Sequence, residues 1–82
     1  GIEAETRQTF ENIRGILAAA GATMDDVVST AVHMVNLDDF ARMNEVYGTY
    51  FKANPPGRTT VGVVALPAGA AVEITATAYI GS

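Results

Sequence analysis

The chain has no cysteine and no tryptophan, and among its 82 residues it holds a single histidine. Without cysteine there is no disulfide framework, no thiol nucleophile and no thiolate-based zinc or iron–sulfur site. One imidazole supplies too few nitrogen ligands for a zinc centre. Positive charge is scarce as well: five Lys and Arg stand against nine Asp and Glu, a net charge of −4. That balance argues against a nucleic-acid partner, because phosphate contacts need clustered Lys and Arg. No apolar run approaches the roughly 18 residues that a membrane span needs, and no basic segment leads into an apolar one as in a secretory leader. No Gly-rich phosphate loop occurs. These absences describe a soluble intracellular chain, expected in the cytoplasm, with no membrane partner.

What is present fits one small domain over residues 1–82, 49% of them hydrophobic. The chain opens on Gly1 and not on Met, so its first residue is not expected to mark the start of translation. Charge is unevenly spread. Residues 1–52 carry all but two of the charged side chains, and the last thirty residues hold only Arg58 and Glu73.

Periodicity gives five elements. Thr6, Phe10, Ile13, Leu17 and Ala20 recur in steps of three and four, which predicts an amphipathic helix over 3–20. Glu3 and Glu5 in its first turn suit the helix dipole, and Gly21 is a natural left-handed stop. Residues 27–35 (VVSTAVHMV) are rich in β-branched side chains and read as a strand that is apolar, and therefore covered, on both faces. A second helix is predicted over 39–53, with Phe40, Met43, Tyr47, Tyr50 and Phe51 on its apolar stripe. Asn54 and the Pro55-Pro56-Gly57 turn end it. Strands over 58–66 and 71–80 follow, linked by Pro67-Ala68-Gly69-Ala70. In the last strand Val72, Ile74, Ala76, Ala78 and Ile80 share one face, and Glu73, Thr75, Thr77 and Tyr79 the other. The order is α-β-α-β-β. The first helix has no strand before it to form a crossover, and three strands alone leave a sheet edge that natural domains usually cover. Either an N-terminal hairpin is missing or something outside the chain fills that edge.

Arg58 and Glu73 are the chemistry-bearing candidates, because each stands at or inside an otherwise uncharged strand. A charge among Val, Leu and Ala costs several kcal/mol unless it is paired or hydrated. Such a position is either structural, with Arg58 and Glu73 paired to each other or Arg58 merely exposed at a strand start, or functional. Arg offers a planar fork that matches a carboxylate, and Glu can hold and deprotonate a water. In a simple hairpin turning at Ala68, Arg58 would oppose a residue near Ala78, well away from Glu73; a different strand order would void that argument. His33 reads as a hydrogen-bonded interior or interface residue. Tyr47 and Tyr50 read as core or interface aromatics, and Asn44 as a polar contact at a cleft or a solvated residue. Asp25-Asp26 and Asp38-Asp39 are turn and helix-start residues without the partners a metal site needs.

The segment Pro56-Gly57-Arg58-Thr59-Thr60-Val61, followed by Leu66-Pro67 and Val72-Glu73-Ile74, resembles the C-terminal signature of the RidA/YjgF family of imine and enamine deaminases. TRQTFENIRGILAAAGATMDDVV looks like that family's first helix and the turn after it, and NLDDFARMNEVYGTYF like its second helix. The resemblance implies an α+β, chorismate-mutase-like fold, a mixed sheet with two helices on one face, here without the family's N-terminal strands. It implies that the last two strands are not sheet neighbours, and that the protein is a homotrimer with ligand sites in clefts between subunits. By the same resemblance Arg58 grips a substrate carboxylate and Glu73 positions or activates water, while Thr60 and Asn44 line the site. The implied reaction is hydrolysis of 2-imino or 2-aminoacrylate-type acids to 2-keto acids and ammonia, with no metal or organic cofactor. The family's N-terminal tyrosine and Ser-Gly segment match no position here, and Gly57 replaces the commoner Ala before the arginine. A non-catalytic carboxylate-binding or chaperone-like module of the same fold is the rival reading. A ribonuclease, an older association of the family, sits poorly with the acidic charge.

Overall fold

The first helix, α1, runs over Ile2–Ala19 and ends as its glycine predicts. Gly21 takes φ +78°, its N–H bonds the Ala18 carbonyl at 3.0 Å, and the Ala22 N–H reaches back to Leu17 at 2.8 Å. This pair of bonds satisfies carbonyls that the end of a helix otherwise leaves open. The computed structural model that shows this describes residues 1–80; residues 81 and 82 of the expected domain lie outside the described residues.

Strand β1 covers Val27–Met34, helix α2 Phe40–Tyr50, strand β2 Gly57–Gly62 and strand β3 Val72–Ala78. The order α-β-α-β-β is the one expected. Helix α2 is shorter at both ends than 39–53. At its start, Leu37–Asp39 form a tight 3₁₀ turn, capped where the Asn36 side-chain oxygen accepts from the Asp38 N–H at 3.0 Å. At its end, Pro55 and Pro56 lack the N–H groups that would bond the carbonyls of Phe51 and Lys52, so no further turn can close. Phe51 leaves the helical region at φ −131° and buries its ring instead.

The sheet order is β2-β1-β3, with β1 parallel to β2 and antiparallel to β3. A simple β2–β3 hairpin is therefore excluded, because β1 lies between them. β2 also stops short of residue 66. The Val63 N–H still bonds the Met34 carbonyl at 2.9 Å, but β1 ends there and offers nothing further to pair with. Val64, just beyond, is 97% exposed.

Both helices pack on one face of the sheet. Thr30, Val32 and Met34 of β1 and Val72 and Ile74 of β3 are buried beneath them, together with Phe10 and Met43. Phe10 is the hub, its ring 4.8 Å from Tyr50, 5.4 Å from Tyr47 and 5.5 Å from Phe51, centroid to centroid. Thr6 is wholly buried beside it at no polar cost, since its hydroxyl donates to the Ile2 carbonyl at 2.7 Å. Outside this core, the Tyr50 hydroxyl donates to Glu11 at 2.6 Å, and Arg14 bonds the same carboxylate. The Arg14 bond, helped by the Tyr50 bond, holds the Glu11 carboxyl below its usual range.

The expectation that β1 is covered on both faces does not hold for the described residues. Ser29, Ala31 and His33 alternate onto the face away from the helices, where no second layer of this chain lies over them. β3 alternates as expected, Val72, Ile74, Ala76 and Ala78 inward and Glu73, Thr75 and Thr77 outward. Ile80 lies beyond the strand and is exposed.

Two positive-φ residues make opposite predictions for stability. Gly21 has open space around a would-be Cβ, so Gly21→Ala adds only backbone strain and lowers stability by about 1 kcal/mol. Ala68, at φ 58° in the turn before β3, already bears that strain, so Ala68→Gly raises stability by roughly 0.5 kcal/mol after the entropy loss of a new glycine. Denaturant midpoints for the two variants should move in opposite directions.

Candidate functional site

Arg58 stands on β2, directly across from Thr30 of β1, and so points to the helix side of the sheet. Phe40, Asn44 and Tyr47 follow one another on α2 at steps of four and three and form a single stripe facing it. The guanidinium carbon lies 4.6 Å from the Tyr47 ring centroid and 5.3 Å from that of Phe40. One of its NH₂ groups donates to Asn44 Oδ1. The Tyr47 ring is itself fixed, because its hydroxyl and the Thr30 hydroxyl share a hydrogen bond of 2.7 Å, both residues being buried. Thr30 thus locks Tyr47, Tyr47 carries Arg58, and Asn44 sets its rotation.

This arrangement leaves the guanidinium available. Stacking uses its face and Asn44 one donor, while four of its five N–H donors remain. No carboxylate pairs with Arg58 among the described residues. Beside it opens a pocket of about 370 Å³, lined by Asn44, Tyr47, Gly48, Phe51, Pro55, Pro56 and Arg58. The early end of α2 and the two prolines shape that pocket. A fixed cation at the rim of a partly apolar recess is suited to a small organic carboxylate.

Thr60 is on the same face, two residues along β2 and opposite Val32. It is half-buried, and its hydroxyl oxygen is shielded from solvent with no hydrogen-bond partner. Glu73 is elsewhere. On β3 it pairs across the ladder with His33 of β1, and the two side chains meet at 3.1 Å, Nδ1 to Oε1, on the face away from the helices. Within one chain the fold joins Arg58 to Asn44, sets Thr60 on the same sheet face outside the pocket lining, and places Glu73 on the other side of the sheet. The structural alternative in which Arg58 pairs with Glu73 is not what the chain forms. No group of three or more His, Cys, Asp or Glu is arranged to hold a metal among the described residues. No helix among them is long and apolar enough to cross a membrane.

Two residues escape sequence reasoning. Tyr47 reads as a core aromatic and is also the platform for Arg58; the Phe40-Asn44-Tyr47 spacing is the signal that points to it. His33 reads as an interior or interface residue, and its meeting with Glu73 depends on a strand order that no local pattern reveals.

The platform gives a graded expectation. Tyr47→Phe keeps the ring under Arg58 but strands the buried Thr30 hydroxyl, so it lowers stability by about 1–3 kcal/mol and changes affinity for a small carboxylate less than threefold. Tyr47→Leu also removes the ring and weakens affinity by roughly tenfold. Chemical denaturation and calorimetric titration with pyruvate read the two effects separately.

Comparison with known proteins agrees with this fold. The family model described as Endoribonuclease L-PSP matches residues 1–80. A RutC family protein of Pyrococcus horikoshii is 46% identical over 78 residues, covering 95% of this chain and 62% of that protein. The 2-iminobutanoate/2-iminopropanoate deaminase of Rattus norvegicus is 42% identical over 81 residues, covering 99% of this chain and 59% of the enzyme. Among solved structures, RidA from the Antarctic bacterium Psychrobacter sp. superposes with a TM-score of 0.94 at 44% identity, over 98% of this chain and 65% of that one. E. coli TdcF with bound serine superposes with a TM-score of 0.95 at 34% identity, over 99% of this chain and 66% of that one. The chain therefore spans about three fifths of the length of these curated relatives. With the family model matched over 1–80 and the two-helix, mixed-sheet fold shared, the chain belongs to the Endoribonuclease L-PSP family, that of the RutC and RidA/YjgF proteins.

Proposed function

We propose that the protein hydrolyses reactive 2-imino and 2-enamino acids of the 2-aminoacrylate type to 2-keto acids and ammonia, acting in the cytoplasm. The observation that carries this reading is the Arg58 guanidinium, held on Tyr47 and Phe40 beside a pocket with no carboxylate among the described residues to satisfy it. The naming of 42%-identical mammalian relatives as 2-iminobutanoate/2-iminopropanoate deaminases supports it.

The chemistry asks little of the protein. The enamine tautomerises to an imine, whose carbon is already electrophilic. Arg58 anchors the carboxylate, with Asn44 and Thr60 lining the site. Glu73 takes a proton from water as the oxygen attacks the imine carbon, and the C=N π pair passes to nitrogen, which takes a proton from solvent. The carbinolamine then collapses: Glu73 gives its proton to the amine nitrogen, the C–N bond breaks and ammonia leaves, while the hydroxyl releases its proton to solvent and the keto carbonyl forms. Orientation and general-base catalysis by one carboxylate, worth about 10²–10⁴-fold, suffice for such a step. Neither metal nor organic cofactor enters it.

Arg58 and Glu73 lie on opposite faces of one sheet, so a site using both takes them from two copies. We therefore place the reaction between subunits of a homotrimer, Arg58 from one subunit and Glu73 from its neighbour. The same separation favours one rival, a non-catalytic module that uses Arg58 only to hold carboxylates. Nucleic acid is not a partner in either reading.

Keto-acid release from freshly generated 2-aminoacrylate separates the two. Arg58→Ala lowers the rate on the order of 100-fold by loss of a charge-assisted anchor, and Glu73→Gln by at least as much. A Glu73→Gln variant with the parental rate, beside an Arg58→Ala variant that no longer binds keto acid, establishes the binding module instead. Co-expressing the two variants restores roughly a quarter of the activity if each site draws on two subunits, since random mixing rebuilds that share of intact sites. No recovery means that each site is built within one chain.

A further inference from the structure

The reading of Glu73 as the group that activates water leaves a question about what holds it, and the open face of the sheet answers it. Residues paired across a ladder project to the same face, and His33 is the ladder partner of Glu73. Their side chains meet at 3.1 Å, Nδ1 to Oε1. An ionised carboxylate only accepts, so Nδ1 is the donor, and in the neutral ring Nε2 is left unprotonated. The other residues on that face are Ser29 and Ala31 of β1, Gly57, Thr59 and Val61 of β2 and Thr75 and Thr77 of β3, none of which carries a group that changes charge as an imidazole does. Arg58 of the same chain stands on the opposite face and meets Glu73 only from a neighbouring copy, with a charge that pH does not change. Glu5, whose carboxylate reaches the Ala71 N–H from α1, is on that opposite face too. Among the described residues the imidazole is thus the one charge-changing group set against Glu73.

We propose that His33 is a positioning residue for Glu73, fixing one carboxylate oxygen through Nδ1 so that the other faces the water, and setting how basic that carboxylate is. This inference rests on the deaminase reading above and adds a pH response to it. An imidazolium beside the carboxylate stabilises its negative charge and makes it a weaker base. Once the ring is neutral, Nδ1–H still donates, but the carboxylate regains its basicity. Activity therefore rises with pH as the imidazolium gives way to the neutral ring.

The test is the pH profile of kcat and KM for the intact protein and two variants. The parent shows a rise of roughly threefold to tenfold between pH 5 and 8. His33→Phe loses both the donor and the titration: kcat falls about tenfold, KM, set by Arg58, stays within twofold, and the rise disappears. His33→Gln keeps a donor without a titrating ring, so it recovers most of kcat yet shows no rise. A parental kcat and pH profile in His33→Phe, with Glu73→Gln inactive, overturns the inference and leaves the deaminase reading standing. A parental rate in Glu73→Gln overturns both. A second readout does not depend on catalysis. His33 is the protein's one histidine, so its ¹⁵N imidazole signals need no assignment. They show the Nδ1–H tautomer in the parent at neutral-ring pH and a shift toward Nε2–H in Glu73→Ala, which leaves Nδ1 no acceptor. Identical spectra overturn the inference.

Discussion

Everything about the site follows from β1 occupying the middle of a three-stranded sheet. Its inward residues Thr30, Val32 and Met34 are the ones that both helices cover, so the core is built on this strand. Its position also keeps β2 and β3 apart and gives each a single partner. Because strand side chains alternate with period two, the residues opposite Thr30 and Val32 face the helices, and the residue opposite His33 faces away. A one-residue slip in either ladder would exchange those faces and break the core with them. Hydrophobic burial along β1 thus fixes where Arg58 and Glu73 point, although neither is part of the core.

The same burial prepares Arg58 for the anchoring role proposed for it. An exposed arginine samples many rotamers, and ordering it on binding costs affinity. Here α2 meets that cost during folding, because Tyr47 is already immobilised by Thr30 beneath the guanidinium and Asn44 already holds one of its donors. The aromatic platform also answers how a cation persists without an ion pair. Ring faces are electron-rich, and they stabilise the guanidinium while leaving its edge donors for a ligand. The elements that stabilise the fold and those that preorganise the site are in this respect the same residues.

Much of this is legible in the sequence, and the illegible part has a common cause. Both helices, the Gly21 stop and the inward–outward alternation of β3 follow from local spacing and backbone preference, which one segment contains in full. The resemblance carried by the Arg58 and Glu73 segments yields the family and the separation of the last two strands. What local pattern misreads is whatever depends on a partner. β1 is apolar enough to look covered twice, yet this chain covers it once. β2 is apolar beyond Gly62 but stops pairing where β1 stops. The meeting of His33 with Glu73, forty residues apart, is decided by strand order. Tyr47 is half-legible: its spacing shows that it packs inward, while its support of Arg58 appears only once β2 lies alongside β1.

The outer edges of β2 and β3 carry a further meaning. Each has backbone donors and acceptors on one side that no strand among the described residues pairs, and the face between them presents Ala31, Val61 and a row of threonines. Water satisfies those groups only until a strand or another subunit offers better partners. In the proposed assembly, folding and association would therefore be linked: the free energy of covering edges and face would add to that of the domain, and apparent stability would depend on protein concentration. Dilution would then silence a shared site before the individual subunit unfolds, and the amount of protein in the cell would act as a control on its activity.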